Sequence, residues 1–217
     1  MKTRKKSNTI PNYNLAEELI NAISHGIGAG LSIAGLILLI IKANTPLKII
    51  TSIIFGITMI ILYTISCIYH SLSPKLKGKK VLRVIDHCNV FMLVLGTYVP
   101  VSLLSVGNKT GLFLLLFVTT ITTIGIILSC INIDKYQLLE VICHLLNGWS
   151  IIIAFNILLN NIGKNGVTLL LAGGIVYTIG AIIYGIGSKV KYMHCVFHFF
   201  CLAGTILHFL SIYLYIL

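Results

Sequence analysis

Charge is what this chain lacks. Asp, Glu, Lys and Arg together make up 10% of its 217 residues, where a water-soluble domain carries about a quarter. With 57% hydrophobic residues, a soluble globule or a toxin released in soluble form is excluded. Cysteine pairing is missing too. Cys67, Cys88, Cys130, Cys143, Cys195 and Cys201 form no Cys-x-x-Cys pair. They read as small buried hydrophobes rather than a disulfide framework. Three familiar catalytic signatures are absent: His-Glu-x-x-His, the Gly-x-Ser-x-Gly nucleophile elbow and the phosphate loop. The basic start (Lys2, Arg4, Lys5, Lys6) is followed by polar residues through Asn21 and by no small-residue cleavage pattern. Residues 1–20 therefore read as a cytoplasmic tail ending in a short amphipathic turn, and residues 21–217 as one membrane domain.

Apolar runs fill that domain. Seven can be drawn: Ala22 to Ile41, Ile49 to Tyr69, Val81 to Leu104, Gly111 to Ile131, Leu138 to Leu159, Gly166 to Gly187 and Met193 to Leu217. Each approaches or exceeds the ~20 residues that cross a hydrocarbon core of ~30 Å. The expected fold is an all-α bundle of seven transmembrane helices with short polar connections. The formal charge of +11 sits in those connections, so it signals topology rather than nucleic-acid binding. With the N-terminus inside, the cytoplasmic side holds 12 of the basic residues and the outer side only Lys42, Lys48, Lys109 and Lys164. That bias predicts a cytoplasmic N-terminus and an external C-terminus.

Mapped onto this topology, six of the seven histidines fall at one leaflet. His70 ends the second run, Asp86 and His87 start the third, and His194 and His198 start the last. His194 and His198 are four apart and share a helix face. A polar pair in lipid is costly and belongs in the protein interior. Neutral imidazoles at that spacing suit a metal ion. His70, His194 and His198 would supply three ligands of a tetrahedral zinc site with the fourth position open to water. Asp86 would hold or deprotonate that water, whose pKa zinc lowers toward ~7. Ser66, His70 and Asp86 can also be drawn as a hydrolytic triad, but this leaves His194 and His198 unexplained. His87 and His144 read as interfacial side chains, and His208 as the donor or acceptor of an interhelical hydrogen bond. The lysine-rich loop from Lys75 to Arg83 reads as an orientation signal.

Several motifs occur in a specific order. Glu17-Glu18-Leu19-Ile20-Asn21 leads to His25-Gly26-Ile27-Gly28, followed by Ser66-Cys67-Ile68-Tyr69-His70-Ser71. Asp86-His87, Gly96-Thr97-Tyr98-Val99-Pro100 and His194-Cys195-Val196-Phe197-His198 complete the series. In this order the chain resembles the hemolysin III proteins, the bacterial branch of the progestin and adipoQ receptor family. The resemblance implies a seven-helix protein of the bacterial cytoplasmic membrane with zinc near the cytoplasmic face. It implies His70, His194 and His198 as ligands, Asp86 as the water-holding carboxylate, and Ser66 as a residue orienting a ligand or the water. Glu17 or Glu18, with Asn21 and His25, would form a supporting shell. Ceramidase-like relatives imply hydrolysis of a lipid amide, whereas the branch takes its name from red-cell lysis.

Three functions follow as expectations. The first is a zinc-dependent intramembrane hydrolase whose lipid substrate arrives laterally between helices. The second is a pore-forming or cytolytic protein, against which the apolar outer halves of the helices argue. The third is a membrane sensor or receptor whose zinc is structural. Membrane lipids are the expected partners in each.

Overall fold

The computed structural model describes residues 10–187 and 190–217. Lys2, Arg4, Lys5, Lys6 and Lys189, used in the charge argument, lie outside the described residues. Six helices account for most of the rest: α1 (Leu15–Lys42), α2 (Pro46–Ser71), α3 (Lys77–Pro100), α4 (Asn108–Trp149), α5 (Phe155–Gly187) and α6 (Met193–Ser211). A π-helical stretch, Val101–Val106, extends α3, and another, Ile212–Ile216, extends α6. A 3₁₀ stretch, Ser150–Ala154, joins α4 to α5. Among the described residues, five helical stretches are by length and composition apolar enough to cross a membrane.

Local chemistry explains the helix ends. α1 begins at Leu15, inside the stretch read as the end of the tail. Asn14 Oδ1 accepts the Glu17 N–H at 2.9 Å, and a Glu17 carboxylate oxygen accepts the Asn14 N–H at 2.9 Å. This capping box satisfies two backbone donors that the first turn leaves orphaned. It also places Glu17, Glu18, Asn21 and His25 on one continuous helix. Thr45 caps α2, with Pro46 at the helix start where its missing N–H costs nothing.

The stretch Asn108–Gly185 is 78 residues, about 120 Å if it were straight. It is broken twice. At Asn132 the backbone is extended (φ −173°, ψ 100°), and Asn132 Oδ1 accepts the Lys135 N–H at 3.0 Å. That side chain stops one helical piece and caps the next. Gly163 (φ 67°, ψ 177°) makes the second break, and Gly107 (φ 63°, ψ −172°) makes the turn between α3 and α4. Side chains are essentially excluded from that backbone region, so glycine is required at both turns.

Sequential helices pack on one another, and α6 returns to α1, closing a ring. Outward faces are apolar: Leu15, Ile27, Leu31, Ile41 and Leu138 are among many exposed large hydrophobics. The interior is rich in buried polar groups, including Glu18, Asn21, His25, Ser66, Lys79 and Glu140. This inverts the pattern of a protein folded in water and matches one folded in lipid.

The turns gather at two ends. At one, Lys48 Nζ donates to Leu217 O at 2.5 Å and Asn161 Nδ2 to Ser105 O at 2.6 Å. Lys42 Nζ donates to Tyr213 O at the same end. At the other end, the Tyr192 N–H donates to Glu17 Oε1 at 2.7 Å, and Arg83 pairs with Asp134 at 3.0 Å.

Candidate metal centre

Two helix ends bring three histidines together at the Tyr192 end of the ring. α2 brings His70, and the first turns of α6 bring His194 and His198. One ring nitrogen from each lies within 4.8 Å of the others. His70 and His198 are buried, and His194 is half-buried. His194 Nε2 and His198 Nε2 stand 3.1 Å apart. Zinc–nitrogen bonds of about 2.0–2.1 Å in a tetrahedron put ligand nitrogens about 3.3 Å apart. The pair already has that spacing.

The third histidine is held from behind. His70 Nδ1 donates to Glu18 Oε2 at 2.7 Å, and Asn21 Nδ2 lies 3.4 Å from the same nitrogen. His70 Nε2 is buried without a hydrogen-bond partner. A histidine whose far nitrogen is held by a carboxylate offers the near one as a lone pair, which is how metal-ligating histidines are set up. On this donor set the residues fit a zinc ion: three imidazoles, one with a free buried nitrogen and two at ligand spacing.

Other side chains hold the rings. His25 stacks on His198 with centroids 3.7 Å apart and planes 22° apart, and meets Tyr63 edge-on at 5.0 Å. Tyr13, just before α1, stacks on His194 at 4.9 Å. Burial there pushes the Tyr13 hydroxyl above the ordinary phenol range, with Tyr69 adding to the effect. Asn21 is fully buried beside His70. The proposed supporting residues thus divide by task. Glu18, Asn21 and His25 surround the ligands, while Glu17 caps α1 and secures Tyr192.

Asp86 and Ser66 lie on the wall of a cavity of about 160 Å³ that also meets His194 and His198. Asp86 Oδ1 and Ser66 Oγ are buried and have no hydrogen-bond partner. Each is available to water or substrate. The Ser66–His70–Asp86 triad is not formed, because His70 Nδ1 is committed to Glu18 rather than to Asp86. Most of the remaining lining is apolar, with side chains such as Leu93, Val94, Val101, Ile151 and Leu170.

A second polar group lines the same cavity. His87 Nδ1 lies 3.2 Å from Glu140 Oε2, and Glu140 Oε1 is buried without a partner. His144 stacks on Phe91 at 3.7 Å. Both histidines line the cavity instead of facing the interface. The four-residue spacing of Glu140 and His144 puts both on one helix face. His208 donates from Nε2 to Leu170 O at 3.1 Å, an interhelical bond. Lys79 was missed by the sequence argument: it is fully buried, with Nζ 2.5 Å from Glu18 Oε1 and 2.7 Å from Leu72 O.

A ring of long apolar helices with buried histidines at one end defines a multi-helix membrane protein with a candidate metal centre. Residues 13–209 match the family described as haemolysin-III related, and the chain belongs to that family. It is 36% identical over 204 residues to Hemolysin-3 of Bacillus cereus, covering 93% of this chain and 92% of the relative. It is likewise 36% identical over 206 residues to the Hemolysin-3 homolog of Bacillus subtilis, covering 94% and 96%. A more distant similarity, 22% over 207 residues, links it to the human monocyte to macrophage differentiation factor, covering 92% and 84%.

Proposed function

We propose that this protein is a zinc-dependent hydrolase acting within the bacterial cytoplasmic membrane on a lipid amide. The observation that carries the reading is the convergence of His70, His194 and His198, two of which (His194 and His198) line a largely apolar cavity that Asp86, with its unpartnered Oδ1, also lines. Bound there, zinc would supply a Lewis acid for the carbonyl and a more acidic water at neutral pH. Asp86 accepts a proton from the attacking water and returns it to the leaving nitrogen as the C–N bond breaks. Ser66 orients the water or the carbonyl by hydrogen bonding. The apolar walls around Val94, Val101 and Leu170 seat an acyl chain and exclude bulk water, which strengthens electrostatic interactions at the reacting end.

The finer topology belongs to the same proposal. The breaks at Asn132 and Gly163 divide Asn108–Gly185 into three pieces, making seven spans in all. The lysine bias favours a cytoplasmic N-terminus and an external C-terminus. The bond from Lys48 to the C-terminal Leu217 supports a shared side for those two groups. Reporter fusions should therefore read cytoplasmic at Lys135 and external at Gly163 and at the C-terminus; the reverse pattern overturns the orientation.

The catalytic role is tested in proteoliposomes with a fluorogenic long-chain amide. Asp86→Asn should keep its metal and lose hydrolysis by about 10²–10⁴-fold, the range for removing a general base. Metal-replete wild type that cleaves no lipid amide would overturn the hydrolase reading. It would turn attention to a zinc-stabilised sensor, or to lysis, which vesicle leakage measures. A pore finds less support, since the cavity lining is mostly apolar and an ion path needs a polar lining.

A further inference from the structure

Lys79 belongs by sequence to a run of lysines that faces solvent: Lys75, Lys77 and Lys80 are all exposed. Lys79 is 0% exposed. A lysine is almost never fully buried without a partner that needs it. Its ammonium meets Glu18 Oε1 at 2.5 Å and Leu72 O at 2.7 Å, and it lies 5.1 Å from the centre of the Tyr69 ring. Glu18 is thereby engaged at both oxygens. Oε1 takes Lys79 from α3, and Oε2 takes His70 Nδ1 from α2 at 2.7 Å. The chain Lys79–Glu18–His70 ties three helices together and ends at the unpartnered His70 Nε2.

We propose that Lys79 is a positioning residue for the metal centre, acting through Glu18 on His70. The ammonium supplies the counter-charge that lets a buried carboxylate stand behind the imidazole. It also fixes the direction in which that carboxylate points. The carboxylate in turn fixes which His70 nitrogen carries the proton and which offers a lone pair. A methionine at position 79 preserves much of the apolar stem but leaves Glu18 without its counter-charge. Glu18 is then free to leave His70, and His70 loses its orienting partner. This inference rests on the zinc reading of the cluster, and it concerns a residue outside the ligand set.

The test is a double-mutant cycle read as zinc affinity. The full-length protein in detergent is titrated against a competing chelator. Cobalt-loaded samples add an absorption spectrum that reports the ligand field. Lys79→Met should weaken zinc binding about 10- to 100-fold, the usual effect of losing an outer-shell partner, and should change the cobalt spectrum. In a Glu18→Gln background the same substitution should cost little more, because the carboxylate it serves is gone. Lys80→Met, at an exposed neighbour, should bind zinc as wild type does. If Lys79→Met does not fold, the Glu18→Gln/Lys79→Met pair, which buries no unpaired charge, still supplies the comparison with Glu18→Gln alone. Wild-type affinity in Lys79→Met, or the full loss repeated in the Glu18→Gln background, overturns the inference while leaving the metal site standing. A wild-type protein that binds no zinc overturns the zinc reading itself and the positioning role with it.

Discussion

His198→Ala should yield a folded protein with next to no zinc, beside a wild type that carries about one per chain. Metal content by mass spectrometry on detergent-purified samples is the measurement. His198 holds the central place in the cluster: its Nε2 stands 3.1 Å from that of His194, and its ring packs face to face on His25 at 3.7 Å. Alanine removes a ligand and also leaves the ring of His25 without its stacking partner. Two imidazoles cannot close a tetrahedral site, so the loss should be near complete and not graded. His208→Ala is the matched control. It removes a histidine from the same helix, but one that is bonded to Leu170 O away from the cluster, and zinc content should be unchanged. Hydrolysis, if restored to chelator-treated wild type by added zinc, should not be restored to His198→Ala. Carefully prepared wild type that is free of metal would leave the cluster as a hydrogen-bonded structural core.

The histidine cluster was legible because helix periodicity and charge asymmetry are both local signals. His194 and His198 are one turn apart, and the lysine count brings His70 to the same leaflet. The supporting residues were legible only as a set. Glu17 and Glu18 are adjacent, and composition does not separate them. The capping box does, because Asn14 takes Glu17 and turns Glu18 inward by about 100° on the helix. Lys79 was not legible. In a run with Lys75, Lys77 and Lys80 it resembles an orientation signal, and its burial depends on α3 packing against a carboxylate 61 residues earlier in the chain. The same holds for His87 and Glu140, 53 residues apart. Hydropathy also finds only the apolar middle of a helix. This is why α1 and α3 begin at Leu15 and Lys77 rather than at Ala22 and Val81.

One substitution, glycine to alanine, should have opposite effects at two positions where a new methyl group meets nothing. Neither Gly163 nor Gly30 has another atom within 4 Å of the place a Cβ would occupy, so packing does not distinguish them. Backbone conformation does. Gly163 has φ 67° and ψ 177°, a region that side chains avoid at a cost of about 1–3 kcal/mol. Gly30 lies on the exposed face of α1 with helical neighbours on both sides, where alanine gains up to about 1 kcal/mol over glycine. Gly163→Ala should therefore lower the unfolding midpoint in detergent, and Gly30→Ala should hold or raise it. The difference matters beyond stability. The turn at Gly163 separates two pieces of α5, and the later piece carries Leu170, Tyr177 and Tyr184 to the cavity wall. If the chain reverses there, as seven spans require, the cost of alanine falls on the turn that brings that wall into place. Loss of stability should then be accompanied by weaker binding of long-chain lipids. Equal midpoints for Gly163→Ala and Gly30→Ala would mean that the connection adopts another conformation in the membrane, and the division of Asn108–Gly185 would have to be redrawn.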